Sequence, residues 1–184
     1  MNTSIEKLSK LINDLINIVD KFLPAQIQQK YFDTWTIRKM LAHISGWNLH
    51  TINCLNNLKN NEFSQWGAET NEFNNQSILE RQNKNWQEIY QEFIATSQKL
   101  VDEYKSLNKN QFIQEIYSDH QYTPEKSLKT DIDHYQEHLT SMLRITNSIL
   151  FAAGMFAGSK PTIPVDIDNI RDFIDYSRDY FIKN

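Results

Sequence analysis

The sequence predicts an all-α protein, a four-helix bundle with a short C-terminal helical appendage. Its 184 residues include only four Gly and four Pro, spaced far apart, which leaves room for long regular segments. Four stretches repeat their apolar residues with a period near 3.6, the pattern of amphipathic helices. Because no linker is long enough to separate a second core, we predict a bundle in residues 1–157 and a linker and tail in residues 158–184.

The first two predicted helices lie before residue 60. Thr3 and Glu6 have the spacing of a capping box, and apolar residues follow at helical spacing until Pro24 ends the helix. After a short connector, the same periodicity predicts a second helix over residues 36–59. Each helix has one apolar face, which other helices must cover.

The third predicted helix follows a long connection. Periodicity is lost over residues 60–75, which we interpret as a loop between helices. Ser77, with Glu80 three residues later, has the pattern of a helix cap, and the apolar repeat then continues to about Ser106. This pattern predicts one helix of roughly 30 residues, about 45 Å long.

The fourth predicted helix begins at a Thr-Pro pair. Thr123 is a capping residue, Pro124 suits the first helical position, and apolar residues continue to about Gly154. Beyond the Gly- and Pro-containing residues 158–164, further apolar residues predict a short fifth helix with a face that needs covering. We expect this tail to lie in a groove of the bundle or to dock on a second copy, and we favour a homodimer.

Composition and charge narrow the function classes. Nineteen Lys and Arg against 23 Asp and Glu give a formal net charge of −4 without a basic block, which disfavours nucleic-acid binding. No run of about 18 apolar residues is present, so we expect a soluble protein that does not span a membrane. One cysteine and an N-terminus without signal-peptide features favour the cytoplasm. This residue, Cys54, lies among apolar residues, where a thiol usually acts as a small hydrophobe.

Two histidines of the fourth helix have the spacing of metal ligands. His134 and His138 are four residues apart, which places both imidazoles on one helix face, about 6 Å apart along the axis. One metal ion can bridge that gap, because neutral imidazole binds zinc, nickel, copper or iron at about 2.0–2.1 Å. The alternative is a pair of surface histidines that interact with Asp133 or Glu137.

A third histidine lies beside the apolar stripe of the second helix. Burying the ring of His43 without a partner would cost about 1–3 kcal/mol, and a ligand role would satisfy it. Three imidazoles from two helices form an open site, with positions left for water or substrate, as in catalytic zinc sites. The alternative is a core histidine with another partner.

Three further residues are candidates for lining a pocket at this site. His50 is two turns beyond His43, about 10 Å along the axis, so it can line the cavity but cannot bind the same ion. Trp47 lies one turn from His43 and is a packing residue that can also form a pocket wall. Asp131 begins the segment that carries the histidine pair, and we include it as a pocket candidate.

Two segments resemble the DinB/YfiT-like superfamily. Residues 35–47, with the sequence WTIRKMLAHISGW, resemble its hallmark, in which Trp-Ser/Thr precedes Leu-Ala-His on the second helix. Residues 133–139, with the sequence DHYQEHL, are similar to the histidine pair of its fourth helix. The resemblance covers about residues 1–150, and the tail has no counterpart in the family.

The resemblance implies a bundle of DinB/YfiT-like type with a divalent metal at one end of its core. His43, His134 and His138 would be the ligands, and the ion would be zinc, nickel or a similar metal. Characterised relatives include thiol-dependent transferases and isomerases, so a low-molecular-weight thiol is a candidate partner of the small-molecule substrate.

The sequence therefore leads to two hypotheses of different classes. The first is a metal-dependent transferase or hydrolase that acts on a small electrophile or a thiol adduct. The second is a non-catalytic protein that binds or sequesters a hydrophobic small molecule in the bundle cavity. Neither the substrate nor a catalytic residue follows from the sequence.

Overall fold

The fold is described from a computed structural model that covers residues 2–31, 34–65 and 70–157, with side chains as far as Asn147. The regular secondary structure of these residues is entirely helical, which confirms the all-α prediction. Ser64 and Tyr117 form an isolated bridge between two loops. The helices are α1 Asn2–Val19, α2 Pro24–Gln28, α3 Ile37–Lys59, α4 Thr70–Leu79, α5 Trp86–Ser106, α6 Lys109–Phe112 and α7 Pro124–Ala157.

The chain divides into two compact units, residues 1–143 and residues 144–184. The first unit contains α1 to α6 and most of α7, and the candidate site lies wholly within it. In the second unit the structure describes residues 144–157, the last part of α7. The predicted tail helix and the homodimer inferred from it lie outside the described residues, and so does the linker predicted from residue 158.

Three of the four predicted long helices are present, although α1 ends at Val19 and Pro24 does not end it but begins the short helix α2. The predicted second helix is α3, and the side chain of Thr36 caps it by accepting a hydrogen bond from the Lys39 backbone at 3.1 Å. Thr123 accepts one from the Lys126 backbone at 3.4 Å, with Pro124 as the first residue of α7. The predicted cap at Thr3 is wrong, because α1 already includes this residue.

The predicted third helix over residues 77–106 is wrong as a single element. The chain forms α4 and α5 here, with a turn between Leu79 and Trp86. The cap that starts α5 is Asn85, whose side chain accepts from the Glu88 backbone at 3.0 Å while the Glu88 carboxylate accepts from the Asn85 backbone at 2.6 Å. The guanidinium of Arg38 donates to backbone carbonyls in this turn and so ties it to α3.

The helices α3 and α4 approach each other closely at Gly46. Gly46 lies against Ser77, and a Cβ atom at residue 46 would lie only 2.6 Å from the Ser77 Cβ. Ser77 is therefore a contact residue in the last turn of α4 and does not cap the next helix. This contact packs α4, most of which the sequence predicted as part of the loop 60–75, on α3.

The core of the first unit lies between α1, α3, α5 and α7. α3 packs extensively against α5, α1 packs on α5, and both α2 and α4 pack on α3. A buried polar network joins α7 to this group: the Asn48 amide and the Tyr135 hydroxyl bond to each other at 2.8 Å, and Ser97 lies within 3.2 Å of both. The network fixes the position of α7 against α3 and α5, and thereby positions the site.

None of the described helices is long and apolar enough to cross a membrane.

Candidate metal centre

The three predicted ligands lie together where α3 faces α7. Nε2 of His134 is 2.9 Å from Nε2 of His43 and 2.8 Å from Nε2 of His138. One nitrogen from each of the three rings lies within 4.8 Å of the others. His43 comes from α3 and the other two from successive turns of α7, so the packing of two helices assembles the cluster.

Hydrogen bonding alone does not satisfy this cluster. Each imidazole nitrogen has either one proton or one lone pair in the ring plane, so Nε2 of His134 can form one good hydrogen bond. It nevertheless lies within 2.9 Å of two other ring nitrogens. A cation among the three nitrogens would accept all three lone pairs. The donor set therefore fits a divalent metal better than it fits a hydrogen-bonded cluster.

The distances are also close to those of a metal site. A tetrahedral ion with bonds of about 2.0–2.1 Å holds its nitrogens about 3.4 Å apart, so the rings need to separate by about half an ångström to admit one. Nδ1 of His43 is buried without a hydrogen-bond partner among the described residues. A ligating His usually donates from its second ring nitrogen. Asn74 of α4 lies close enough to the His43 ring to raise its pKa and is the candidate for that partner.

Burial keeps the three imidazoles in the form that binds metals. His43 is only 6% exposed, and burial together with the nearby His134 lowers its pKa to about 3. Burial lowers the pKa of His134 to about 4 and the pKa of His138 well below its usual value. All three rings are therefore neutral at pH 7, and their lone pairs remain available to a metal.

The cluster lies in the wall of a cavity of about 1220 Å³. The size is sufficient for a small organic molecule beside the histidines. Trp47 packs on Phe73 with ring centroids 4.3 Å apart, and its indole N–H donates to Asn74 at 2.9 Å. Because Phe73 and Asn74 belong to α4, the docking of this helix on α3 forms one wall of the cavity.

Asp131 is a buried carboxyl group in the same cavity wall. It is 8% exposed and lies one turn before His134 on α7. Its Oδ2 accepts from the Tyr104 hydroxyl at 2.6 Å, and the same hydroxyl bonds to Ser127 at 2.9 Å. Burial raises the pKa of Asp131 to about 7, although the Tyr104 hydrogen bond opposes this effect. This carboxyl group can therefore give or take a proton near neutral pH.

His50 belongs to a second polar cluster, away from the three histidines. Its Nε2 lies 3.2 Å from the Tyr117 hydroxyl and 3.7 Å from Sγ of Cys54, which is itself 3.6 Å from that hydroxyl. Contact with Cys54 raises the pKa of His50, although burial opposes this effect. Burial raises the pKa of the Cys54 thiol, but its contacts with His50, Ser64 and Tyr117 together outweigh burial, and the net pKa lies below the usual value.

The structure thus brings His43, His134 and His138 together and places Trp47, His50 and Asp131 in one cavity wall. That they bind a metal or a substrate stays a prediction. Sequence reasoning missed the contacts of Cys54, which it interpreted only as a small hydrophobe. The four-residue spacing of His50 and Cys54 on one helix was a signal that could have suggested the pair.

Sequence reasoning also missed the α4 residues in the cavity wall, Thr70, Phe73 and Asn74, because they lie in the stretch 60–75 that was predicted as loop. Comparisons with protein-family models, with curated proteins and with solved structures find no match to this chain.

Proposed function

We propose that this protein is a metal-dependent enzyme that binds one divalent ion through His43, His134 and His138. The observation that carries the proposal is the convergence of three neutral, largely buried imidazoles on one point of a cavity wall. Three protein ligands leave coordination positions open for water or substrate, as in catalytic zinc sites. Zinc and nickel are both suitable, because affinity for imidazole sites follows a general order and does not select one ion.

We further propose that the chain is a four-helix bundle of the DinB/YfiT-like type. Two observations support this assignment. The Leu-Ala-His motif lies on α3, beginning about one turn after the Thr36 cap, and the histidine pair lies on α7. The ligands suggested by the resemblance are also those that the fold brings together.

The proposed reaction is a transfer or hydrolysis on a small electrophile or a thiol adduct. His43, His134 and His138 would hold the divalent ion, which would supply the Lewis acidity needed for a water or a low-molecular-weight thiol to act as nucleophile at neutral pH. Asp131 is placed to accept or return the proton, since its carboxyl group lies in the same wall and titrates near neutrality. The Trp47 and Phe73 rings exclude water from one side of the substrate.

Metal stoichiometry tests the first step of this proposal. Protein purified without a histidine tag is incubated with zinc or nickel, desalted and subjected to elemental analysis. We expect about one ion per chain in the wild type and a large loss in His134→Ala. His120→Ala is the matched control, because His120 lies in an exposed loop, and it should retain the ion. A wild-type protein that binds no ion contradicts the proposal.

Activity is tested on the metal-loaded protein with a panel of low-molecular-weight thiols and model electrophiles. We expect thiol consumption in the wild type and none in His134→Ala. A protein that binds the ion and small molecules but accelerates no reaction in the panel would favour the second hypothesis, a non-catalytic binding protein.

A further inference from the structure

Several aromatic rings line the cavity. Trp47 and Phe73 are in direct contact, and the His50 ring lies 5.7 Å and 5.5 Å from them between ring centroids. Trp35 packs edge-on against His43 at 5.4 Å on the side of the histidine cluster. The other aromatic residues that line the cavity are Tyr117 and Tyr122. The faces of such rings carry partial negative charge and attract cations.

Apart from the four histidines, the described groups that can carry charge in the cavity wall near neutral pH are carboxylates. Asp131, Asp133 and Glu137 line it, and none of the described lining residues is Lys or Arg. Asp131 is held inside by its hydrogen bond from Tyr104, whereas the other two carboxylates are exposed. A cleft lined by charge of one sign concentrates ligands of the opposite sign.

We infer that this cavity takes a small organic cation, an amine or quaternary ammonium compound with an apolar or aromatic body. The carboxylates supply the charge complement and the aromatic rings supply both apolar contact and cation–π attraction. An anionic ligand of the same size would meet three carboxylates and no Lys or Arg among the described lining residues.

The inference deepens the proposed function by naming the class of its substrate, and it rests on that proposal only for the use of the cavity as a substrate site. Cation binding needs the carboxylates and the aromatic wall, and it does not need a metal. The two ideas can therefore fail separately.

The test compares two probes that share a benzyl group and differ in charge, benzyltrimethylammonium and phenylmethanesulfonate. Binding to the full chain is measured by calorimetry at pH 8 in the presence of EDTA, so that neither probe can bind through a metal. We expect the cation to bind at least about tenfold more tightly than the anion.

Two variants locate the binding in the cavity, and a third is the control. Trp47→Leu removes one aromatic face and Asp131→Asn removes the buried charge, so each should weaken cation binding about three- to tenfold. Trp86→Leu is matched to the first, because Trp86 stacks on Tyr90 and does not line the cavity, and it should leave the affinity unchanged.

Equal affinity for the two probes, binding of neither, or tighter binding of the anion would overturn the inference. Cation affinity that both cavity variants leave unchanged would also overturn it. Metal binding by the same protein is measured separately, in the absence of EDTA. Protein that binds no metal but prefers the cation supports the inferred ligand class and contradicts the metal-dependent function. Protein that binds metal but does not prefer the cation supports the metal site and contradicts the inferred ligand class.

Discussion

Replacing Asp131 by Asn should remove a pH-dependent loss of stability. The usual pKa of this carboxyl group is 3.8, and burial raises it to about 7 in the folded protein. Between these two values the unfolded chain ionises Asp131 while the native protein keeps it protonated. Unfolding then releases a proton, so the free energy of unfolding falls as pH rises through this window. Asn cannot ionise, and its amide oxygen can still accept the hydrogen bond from Tyr104.

The size of the effect follows from the shift in the pKa of Asp131. Each pKa unit is worth about 1.36 kcal/mol, so the full window of about three units corresponds to about 4 kcal/mol. Between pH 5 and pH 8 the ionisation covers about two of these units. The stability of the wild type relative to Asp131→Asn should therefore fall by about 3 kcal/mol over this range.

Urea unfolding followed by circular dichroism at pH 5, 6, 7 and 8, with EDTA present, measures this difference. The buried histidines also make stability depend on pH, but both proteins contain them and their contribution cancels in the comparison. Asp133→Asn, a change in an exposed carboxylate of the same helix, is the matched control and should show no comparable fall. If the free energy of unfolding of the wild type relative to Asp131→Asn stays constant or grows with pH, the pKa of Asp131 is not raised in the folded protein.

Three further predictions concern the histidine cluster and the packing that positions it. His43→Ala should abolish binding of the divalent ion and leave the far-ultraviolet circular dichroism of a helical protein, because buried apolar residues supply most of the folding free energy; loss of helix would show a structural metal. Gly46→Ala should lower the free energy of unfolding by about 1–3 kcal/mol in urea, and adding Ser77→Gly should restore most of it; no recovery would contradict the contact between α3 and α4. Asn48→Ala should cost about 1–3 kcal/mol, and adding Tyr135→Phe should cost little more; additive losses would contradict a shared network.

Local sequence signals predicted the parts of the fold that depend on local contacts. The Thr36 cap and the apolar repeat after it specify α3, and the Thr-Pro start specifies α7. The start of α5 was missed because both Ser77 and Asn85 have an acidic residue three positions later, and either pair satisfies the capping pattern. In the structure Asn85 is the cap of α5, and Ser77 lies within α4 against Gly46. This contact joins segments 31 residues apart in the sequence and cannot be read from either segment alone.

In the candidate site, too, the sequence predicted what depends on local spacing and did not specify what depends on contacts between distant segments. The spacing of His134 and His138 on one helix is a local property, and their ring nitrogens do lie within 2.8 Å of each other. The approach of His43 to this pair depends on how α3 packs against α7. Residue patterns alone do not specify this packing, and the sequence suggested it only through a family resemblance. The wall formed by Phe73 depends on α4, so the aromatic character of the cavity became visible only in the structure.

X-ray absorption spectroscopy at the zinc edge, on protein loaded with one equivalent of zinc, identifies the atoms that bind the ion at the proposed metal centre. We expect three imidazole nitrogens at about 2.0–2.1 Å from the ion, and fewer in His134→Ala. A sulfur ligand at about 2.3 Å, which would identify Cys54 as a ligand, or a coordination shell with fewer than three imidazoles in the wild type would contradict it.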